Sequence, residues 1–386
     1  MNAPIRYAIV ADTVFDGSTT HLDAAVVVED RRIVSVLPRS NLPSDLAIDV
    51  VSPGGWLAPG FIDIQVNGGG DILFNDAPTP ETIATLVAAH RRFGTTALLP
   101  TLISDSEEKM RAAFAAVEAM VDVEPSVLGI HLEGPFLSVE KCGVHGASFI
   151  REPIPSDMRF LCQDRKGVLL VTLAPERVPE GFIRRLVQSG AHVALGHSMA
   201  TYDVTWAAIA EGLSGFTHLF NAVRPLASRD PGPIAAALES DQCWFGMIVD
   251  GFHVHPAMLR LALRGQSHPM LVTDAMPPVG GQRASFLLYG QEIEAVNGRC
   301  LRSDGTLSGA LLDMSAAVRN CVRLLRTSLE EALRYASRNP AEFLGVGHIL
   351  GKLAEGYRAD MVAFDPQTLS VHATWVAGSR YPPVSR

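Results

Sequence analysis

The sequence predicts an α/β fold in which a TIM-like (β/α)8 barrel lies between two β-rich chain ends. Eight short apolar strand candidates follow one another through the middle of the chain, and helical segments separate most of them. Strands that alternate with helices in this way are typical of a parallel sheet. An open doubly wound sheet is the alternative, but no Gly-x-Gly-x-x-Gly motif follows an early strand.

The predicted barrel strands are short, mostly apolar runs, as expected for strands that are buried on both faces. They cover residues 61–66, 95–101, 127–133, 168–173, 191–196, 215–220, 244–250 and 269–274. Helices are predicted between most of them, for example over residues 80–92, 106–121, 179–188, 201–211 and 256–264. Because the strands and helices alternate through the whole middle of the chain, we expect the sheet to close into a barrel.

The two ends of the chain contain short β-branched runs bounded by charged or turn-forming residues, a pattern that is typical of hairpins. The clearest of these runs are residues 24–28, 32–37, 359–364 and 370–378. We predict one small β-sandwich domain built from residues 1–56 and 351–386, with the barrel spanning residues 57–350. A Gly-rich stretch near residues 283–308 predicts a β insertion after the eighth strand.

The composition indicates a globular protein that binds neither nucleic acid nor a membrane. The 386 residues are 47% hydrophobic and 19% charged, and the formal net charge is −9. An acidic chain has no broad attraction to nucleic acid or anionic lipid. No apolar run reaches the length of about 18 residues that a membrane span needs. The amino terminus lacks the apolar segment of a secretory signal, so we expect a cytoplasmic protein with reduced cysteines.

The first barrel strand places three polar side chains among aliphatic ones. Asp63, Gln65 and Asn67 occupy every second position and therefore share one face of the strand. A buried polar group without a hydrogen-bond partner costs about 1–3 kcal/mol. We expect these side chains to form hydrogen bonds near the mouth of the barrel, around any catalytic group that lies there.

Other strand ends carry groups that bind metals or act as bases. Glu133, two residues after His131, ends the third strand, and His197 and His218 lie at the ends of the fifth and sixth. The carboxyl ends of barrel strands meet at the face where active sites lie. One glutamate and two histidines would leave an open position for water, as a catalytic zinc-type ion requires. Asp274, at the end of the eighth strand, would then lie near that water as a base.

Several short segments point to a known family. They are His131-Leu132-Glu133-Gly134-Pro135-Phe136, Gly196-His197-Ser198, Thr217-His218-Leu219-Phe220-Asn221-Ala222, Asp250-Gly251-Phe252-His253 and Val272-Thr273-Asp274-Ala275. Leu57-Ala58-Pro59-Gly60-Phe61-Ile62-Asp63, ahead of a barrel between two β-rich termini, resembles the amidohydrolase superfamily. The full set resembles its N-acetylglucosamine-6-phosphate deacetylase family, in the right order and over nearly the whole chain.

This resemblance implies a metal-dependent hydrolysis in amino-sugar catabolism and cell-wall sugar recycling. The acetamide of N-acetyl-D-glucosamine 6-phosphate would be cleaved to D-glucosamine 6-phosphate and acetate. Glu133, His197 and His218 would hold one divalent ion per subunit, Zn²⁺ in first place and Fe²⁺, Co²⁺ or Mn²⁺ as alternatives. Asp274 would take a proton from the attacking water and pass it to the departing amine, and His145 would help to polarise the carbonyl.

The resemblance also implies a set of substrate contacts and a homodimer. The residues that would bind the phosphate and the sugar are Val144, Asn221, Ala222, Arg229, His253, Leu312, Asp313 and Met314. Arg229 offers a planar fork for phosphate oxygens and would reach the active site of the neighbouring subunit. At position 313 the family often has a small hydroxyl residue instead of Asp.

Three alternatives remain at this stage. The substrate could be another amino-sugar phosphate, such as the galacto epimer, or the chain could be a barrel scaffold that has lost its chemistry. A scaffold would be expected to have lost a ligand or the base, and all of these residues are present. A binuclear amidohydrolase would carry His-x-His on the first strand, where this chain has Gln65-Val66-Asn67. Because an amide oxygen is a weaker zinc ligand than imidazole, we predict a single ion.

Overall fold

A computed structural model of the chain describes residues 6–51 and 54–382. Residues 1–5, 52–53 and 383–386, all within the predicted domain of the two chain ends, lie outside the described part. The amino-terminal strands are β1 (Arg6–Phe15), β2 (Thr20–Glu29), β3 (Arg32–Pro38), β4 (Ala47–Val50) and β5 (Trp56–Pro59).

The middle of the chain alternates strands with helices. Its strands are β6 (Phe61–Val66), the small pair β7 (Gly68–Gly69) and β8 (Ile72–Leu73), then β9 (Thr95–Ile103), β10 (Gly129–Glu133), β11 (Val168–Leu173), β12 (His192–Leu195), β13 (Gly215–Phe216), β14 (Trp244–Met247) and β15 (His268–Leu271). The helices between them are α1 (Pro80–Arg91), α2 (Glu107–Val121), α3 (Pro155–Leu161), α4 (Phe182–Gln188), α5 (Tyr202–Ala210), α6 (Gly232–Glu239) and α7 (Pro256–Ala262).

After the barrel strands come an antiparallel insertion, three further helices and the carboxy-terminal strands. The insertion consists of β16 (Ser285–Leu288), β17 (Gln291–Val296), β18 (Arg299–Leu301) and β19 (Leu307–Ala310). The helices are α8 (Met314–Asn320), which continues into a π-helical turn at Cys321–Leu325, α9 (Leu329–Ala336) and α10 (Arg338–Phe343). The last strands are β20 (Met361–Phe364), β21 (Val371–Val376) and β22 (Ser379–Tyr381).

The parallel sheet confirms the predicted barrel. Its strands are hydrogen-bonded in the order β15-β14-β13-β12-β11-β10-β9-β6. The segment after β15 meets β6 and joins the two edges of the sheet, because the Asp274 N–H donates to the Gln65 carbonyl at 3.0 Å and the Asn67 N–H to the Ala275 carbonyl at 3.1 Å. The first and last strands are therefore neighbours at the end of the barrel where their polar residues lie.

Several barrel strands are shorter than predicted at their carboxyl ends. The sixth strand was expected to run to residue 220, yet β13 ends at Phe216, and the eighth was expected to run to residue 274, yet β15 ends at Leu271. The reason is a change of backbone conformation, since His218 and Asp274 have φ of 33° and 51°. A left-handed residue interrupts the extended backbone, and the regular strand pairing ends two or three residues before these positions.

The strands of the two chain ends join a single eight-stranded sheet. Its order is β22-β21-β20-β5-β1-β2-β3, with β4 paired to β1. Strand β5 belongs to this sheet and runs directly into β6 of the barrel through Gly60. A Cβ atom at Gly60 would lie 2.2 Å from the side chain of Thr96, so only glycine allows this close approach between the sheet and the barrel.

The insertion sheet is attached beside the last barrel strand. The Ala310 N–H at the end of β19 donates to the Asp274 carbonyl at 2.9 Å, and the Met276 N–H donates to the Ala310 carbonyl at 3.1 Å. The antiparallel sheet is therefore held at the carboxyl end of the barrel. Among the helices of the described residues, none has the length and apolar character that crossing a membrane would need.

Candidate metal centre and active site

Three side chains from three barrel strands meet at one point. Nε2 of His197 lies 3.1 Å from Oε1 of Glu133, Nε2 of His218 lies 3.0 Å from the same oxygen, and the two nitrogens are 3.1 Å apart. The three residues are buried. Ligand atoms around a tetrahedral zinc-type ion, at 2.0–2.1 Å from it, are about 3.3 Å from one another. The triangle therefore has the size that such an ion requires.

The tautomer of His197 supports the same interpretation. Its Nδ1 lies 2.7 Å from the carbonyl oxygen of Lys141, which can only accept a hydrogen bond, so the proton of the neutral ring is on Nδ1. Nε2 then presents a lone pair to the carboxylate of Glu133. Two acceptors at this distance repel each other unless a cation lies between them, and a carbonyl that orients a metal-binding histidine is a usual arrangement.

Electrostatics at Glu133 agree with a cation-binding role. Burial alone would raise the pKa of this carboxyl group, but the adjacent imidazoles of His197 and His218 outweigh burial and lower the pKa of Glu133 well below its usual value. Glu133 is therefore ionised at neutral pH. A negative oxygen beside two imidazole nitrogens is a ligand set that suits zinc-type ions.

Backbone strain is concentrated at this point of the fold. His197, His218 and Asp274 have φ of 49°, 33° and 51°. Such conformations cost about 1–3 kcal/mol each in non-glycine residues, and they persist where the surrounding structure enforces them. In each case the strained residue comes two or three residues after a barrel strand ends, and its side chain lines the cavity at the mouth of the barrel.

Asp274 lies beside the triangle, where the amides of the first strand hold it. Nδ2 of Asn67 donates to Oδ1 of Asp274 at 2.6 Å, and Nε2 of Gln65 lies 3.2 Å from both that oxygen and Oε2 of Glu133. Burial, with the charge of Glu133 adding to it, raises the pKa of Asp274 to about 6. The predicted polar face of the first strand thus orients the candidate base and the candidate ligand together.

The other two predicted supporting residues lie deeper in the barrel. Asp63 accepts a hydrogen bond from the hydroxyl of Thr273 at 2.5 Å, and burial raises its pKa to about 7. His131 donates from Nδ1 to the carbonyl of Ile64 at 2.9 Å, and its Nε2 accepts from the hydroxyl of Thr172 at 2.7 Å. These bonds connect strands across the barrel interior below the triangle.

The first strand leads to a prediction about the number of ions. We expect the unaltered protein to bind one divalent ion, because the amides of Gln65 and Asn67 are poor ligands for a zinc-type ion. The double substitution Gln65→His with Asn67→His should admit a second ion beside Asp274. Metal analysis of dialysed protein measures this directly. The matched control, Gln65→Ala with Asn67→Ala, removes the amides without supplying imidazoles and should stay at one ion; two tightly bound ions in the unaltered protein would contradict the prediction.

His145 faces the triangle from a neighbouring loop. Its ring centroid lies 4.3 Å from that of His197, and its Nε2 lies 3.9 Å from Oε1 of Glu133. Nδ1 of His145 accepts from the backbone N–H of Ser104 at 3.2 Å, which places the proton of the neutral ring on Nε2. Burial, followed by the neighbouring His197, lowers the pKa of His145 well below its usual value. This histidine is therefore a neutral N–H donor directed to the site.

These groups open into a cavity of about 480 Å³. The predicted site residues that line it are Asn67, Glu133, Val144, His145, His197, His218, Asn221, Ala222, His253 and Asp274. Nδ1 of His253 lies 2.6 Å from Oδ2 of Asp250, so this ring is oriented by a carboxylate. The volume fits a small organic molecule.

Other predicted contacts do not reach the cavity in this chain. Leu312 and Met314 are buried in the core, and Asp313 caps helix α8 by accepting from the Ala316 N–H at 2.8 Å. Their side chains are used for packing and capping, and a contact of this segment with the sugar stays a prediction. Arg229 is exposed on a loop and is not among the residues that line the cavity, and its role in phosphate binding stays a prediction.

The cavity also has lining residues that the sequence did not single out. These are Ile103, Glu140, Lys141, Gly143, Ile248, Met276 and residues 305–307 and 309. Ile103 ends β9 and Ile248 follows β14, so both lie at carboxyl ends of barrel strands, which face the mouth of the barrel. Because both side chains are apolar, nothing in the sequence distinguishes them from residues of the hydrophobic core. Residues 305–309 come from the insertion, whose position relative to the barrel could not be read from the sequence.

Comparisons with known proteins agree with this geometry. A model of the amidohydrolase family matches residues 56–384. An N-acetylgalactosamine-6-phosphate deacetylase of Shewanella sp. (strain ANA-3) is 45% identical over 84% of this chain and 82% of its own length. An N-acetylglucosamine-6-phosphate deacetylase of Haemophilus influenzae is 33% identical over 94% of this chain and 96% of its own. The crystal structure of N-acetylglucosamine-6-phosphate deacetylase from Pasteurella multocida superimposes with a TM-score of 0.94 at 36% identity, over 98% of this chain and all of that one.

Proposed function

This chain belongs to the amidohydrolase family, and from that premise we propose that it hydrolyses the acetamide of N-acetyl-D-glucosamine 6-phosphate to D-glucosamine 6-phosphate and acetate. The observation that carries the proposal is the triangle of Glu133, His197 and His218, with Asp274 and His145 facing the same cavity. Relatives that cover nearly all of the chain are deacetylases of amino-sugar phosphates, and the site has the groups that amide hydrolysis needs.

Glu133, His197 and His218 would hold one divalent ion, for which we propose zinc. Their nitrogen and oxygen atoms also suit Fe²⁺, Co²⁺ or Mn²⁺, and availability often decides among such ions. When bound, the ion would lower the pKa of a water molecule to about 7 and withdraw electron density from a carbonyl group.

The side chains of this protein would carry the protons. Asp274, ionised above the pKa of about 6 that burial and Glu133 give it, would accept a proton from the water as the water oxygen bonds to the amide carbon. The carbon–nitrogen bond then breaks, and Asp274 would return the proton to the amine nitrogen. His145 would donate from Nε2 to the carbonyl oxygen, where negative charge develops. A neutral donor suits this role, since it needs no proton from solvent.

Substrate recognition would use other polar groups that line the cavity. We propose that His253, oriented by Asp250, and Asn221 with Ala222 contact the sugar phosphate. Asn221 Nδ2 donates to the carbonyl of His218 at 3.0 Å, which fixes this side chain next to a metal ligand. Arg229 would enter the site of a neighbouring subunit in a homodimer, and its exposure on a loop outside its own cavity is compatible with that role.

The role of Arg229 leads to a testable prediction. Arg229→Ala should raise KM for the phosphorylated sugar by about 10-fold or more while leaving the unphosphorylated sugar nearly unchanged, because a charge-assisted hydrogen bond contributes about 1.5–3 kcal/mol. Steady-state kinetics on both substrates measure the effect. The control is Arg323→Ala on the π-helical turn after α8, outside the cavity lining. Equal effects of Arg229→Ala on the two substrates would remove the arginine from phosphate binding.

One observation favours a second candidate substrate. The relative from Shewanella, at 45% identity, is named for the galacto epimer, whereas the Haemophilus relative at 33% is named for the gluco form. N-acetyl-D-galactosamine 6-phosphate differs at a single hydroxyl group, and both epimers would present the same acetamide to Asp274 and His145.

A steady-state comparison tests both candidates. Metal-analysed protein would be assayed for acetate release from the gluco and galacto 6-phosphates and from unphosphorylated N-acetyl-D-glucosamine. We expect the two phosphates to be hydrolysed far faster than the unphosphorylated sugar, and the ratio of their kcat/KM values assigns the epimer. No acetate release from either phosphate by protein that contains one divalent ion would overturn the proposal. The cytoplasmic location stays a prediction from the sequence.

A further inference from the structure

The cavity beside the metal triangle has an unequal distribution of charge. Among the described residues that line it, the carboxylates are those of Glu133, Glu140 and Asp274. Lys141 is the one permanently cationic side chain in the same set. A phosphorylated substrate carries about −1.5 to −2 charges at pH 7 and needs a cationic partner. Among the described lining residues, Lys141 is the side chain that supplies such a charge from within the same subunit.

The backbone of Lys141 is held firmly against a metal ligand. Its carbonyl oxygen accepts from Nδ1 of His197 at 2.7 Å, and the N–H of Ser138 donates to the carbonyl of His197 at 2.9 Å. A short 3₁₀ turn over Val139–Lys141 lies between these two contacts. The stem of the lysine therefore starts from a fixed point at the edge of the triangle, and only its flexible side chain has to be ordered when a ligand binds.

The ammonium group of Lys141 is unpaired, unlike those of Lys109 and Lys166, and it lines the cavity, unlike that of Lys352. The sequence contains four lysines, at positions 109, 141, 166 and 352. Lys109 pairs with Asp105 at 3.1 Å and Lys166 pairs with Asp122. Lys141 forms no ion pair with any residue in the described part of the chain, although it is half-buried and lines the same cavity as three carboxylates. An unpaired cation in a cavity favours an anionic ligand.

We propose that Lys141 binds the phosphate group of the substrate from within the same subunit. This inference rests on the proposed function, in which the substrate is an amino-sugar 6-phosphate. An ammonium is a compact point charge on a flexible stem and is a common phosphate ligand. Lys141 would then determine specificity for phosphorylated sugars, and the loop that carries it would connect phosphate binding with the orientation of His197.

Binding measurements on the metal-loaded protein test this role. Calorimetry would compare the reaction product D-glucosamine 6-phosphate with D-glucosamine, in the wild type, Lys141→Met and Lys141→Arg. The dissociation constant of D-glucosamine divided by that of D-glucosamine 6-phosphate gives the contribution of the phosphate group to binding. We expect Lys141→Met to reduce this ratio by about 10-fold or more and Lys141→Arg to retain most of it. Lys352→Met is the matched control, since Lys352 is also half-buried and without an ion pair among the described residues, and its ratio should equal that of the wild type. An unchanged ratio in Lys141→Met would overturn the proposal.

A second measurement needs neither turnover nor a variant. Because there are four lysines, the rate of amine acylation can be followed at each one by peptide mass spectrometry. Inorganic phosphate should slow the acylation of Lys141 several-fold and leave Lys352 unaffected; equal rates at Lys141 with and without phosphate would contradict the proposal. If neither sugar phosphate were hydrolysed, the proposed function would fail, while the labelling would still report whether Lys141 binds phosphate.

Discussion

Asp274→Asn should lower kcat by about 10⁴-fold while the protein keeps its metal. The substitution preserves the size of the side chain, and the amide oxygen can still accept from Asn67, which lies 2.6 Å from Oδ1 in the wild type. It removes the function that we propose for this carboxylate, which is to accept a proton from water and return it to the amine. Because Asp274 does not belong to the ligand triangle, metal affinity should change little.

The measurement combines metal analysis with single-turnover kinetics and a pH profile. In the wild type, kcat/KM should rise with pH as Asp274 ionises. Burial raises the pKa of Asp274 to about 6 in the protein without metal, and a bound cation would lower this pKa. The midpoint of the rise in kcat/KM should therefore lie at or below about pH 6. The control is Asp164→Asn in the exposed loop between α3 and β11, outside the cavity lining, which should have the wild-type rate. Near-normal activity of Asp274→Asn would exclude Asp274 as the base.

The sequence was sufficient to predict the residues at the centre of this site. Glu133, His197, His218 and Asp274 each follow an apolar run that could be recognised as a strand, and a barrel brings the carboxyl ends of its strands to one face. The apolar runs locate the strands, and the closure of the barrel brings the strand ends to one face. Together these two features place the carboxylates and the histidines close to one another. The resemblance of the short motifs added the substrate class, which spacing alone could not supply.

Other parts of the site depend on features that a sequence does not display. His197 and His218 have left-handed backbone conformations just beyond their strands, where their side chains line the cavity. The residue type at these positions does not indicate such a conformation. Leu312 and Met314 are apolar and could equally well pack or line a pocket; the structure shows that they pack. Lys141 was not identified from the sequence, because the role that we propose for it depends on its position in the cavity and on the lack of an ion pair. Both are properties of the folded chain.

The second large effect is expected in the metal content of a variant that lacks one of the proposed ligands. His197→Asn should lose both the ion and the activity, because the shorter side chain cannot supply Nε2 at the position that lies 3.1 Å from Glu133 Oε1 and from His218 Nε2. Removing even an outer partner of a metal ligand typically costs 10–100-fold in affinity, so the loss of a ligand itself should exceed about 100-fold. The exposed His348, substituted as His348→Asn, controls for the loss of a histidine elsewhere.

The thermal stability of the same variant separates metal loss from misfolding. An ion that binds only the native state stabilises it by RT ln(1 + [ion]/Kd), so chelation should lower the Tm of the wild type and added zinc should restore it. His197→Asn should resemble the chelated wild type and should not respond to zinc. A variant that retains stoichiometric metal, or one whose Tm rises with zinc as in the wild type, would show that the triangle of Glu133, His197 and His218 is not the metal site.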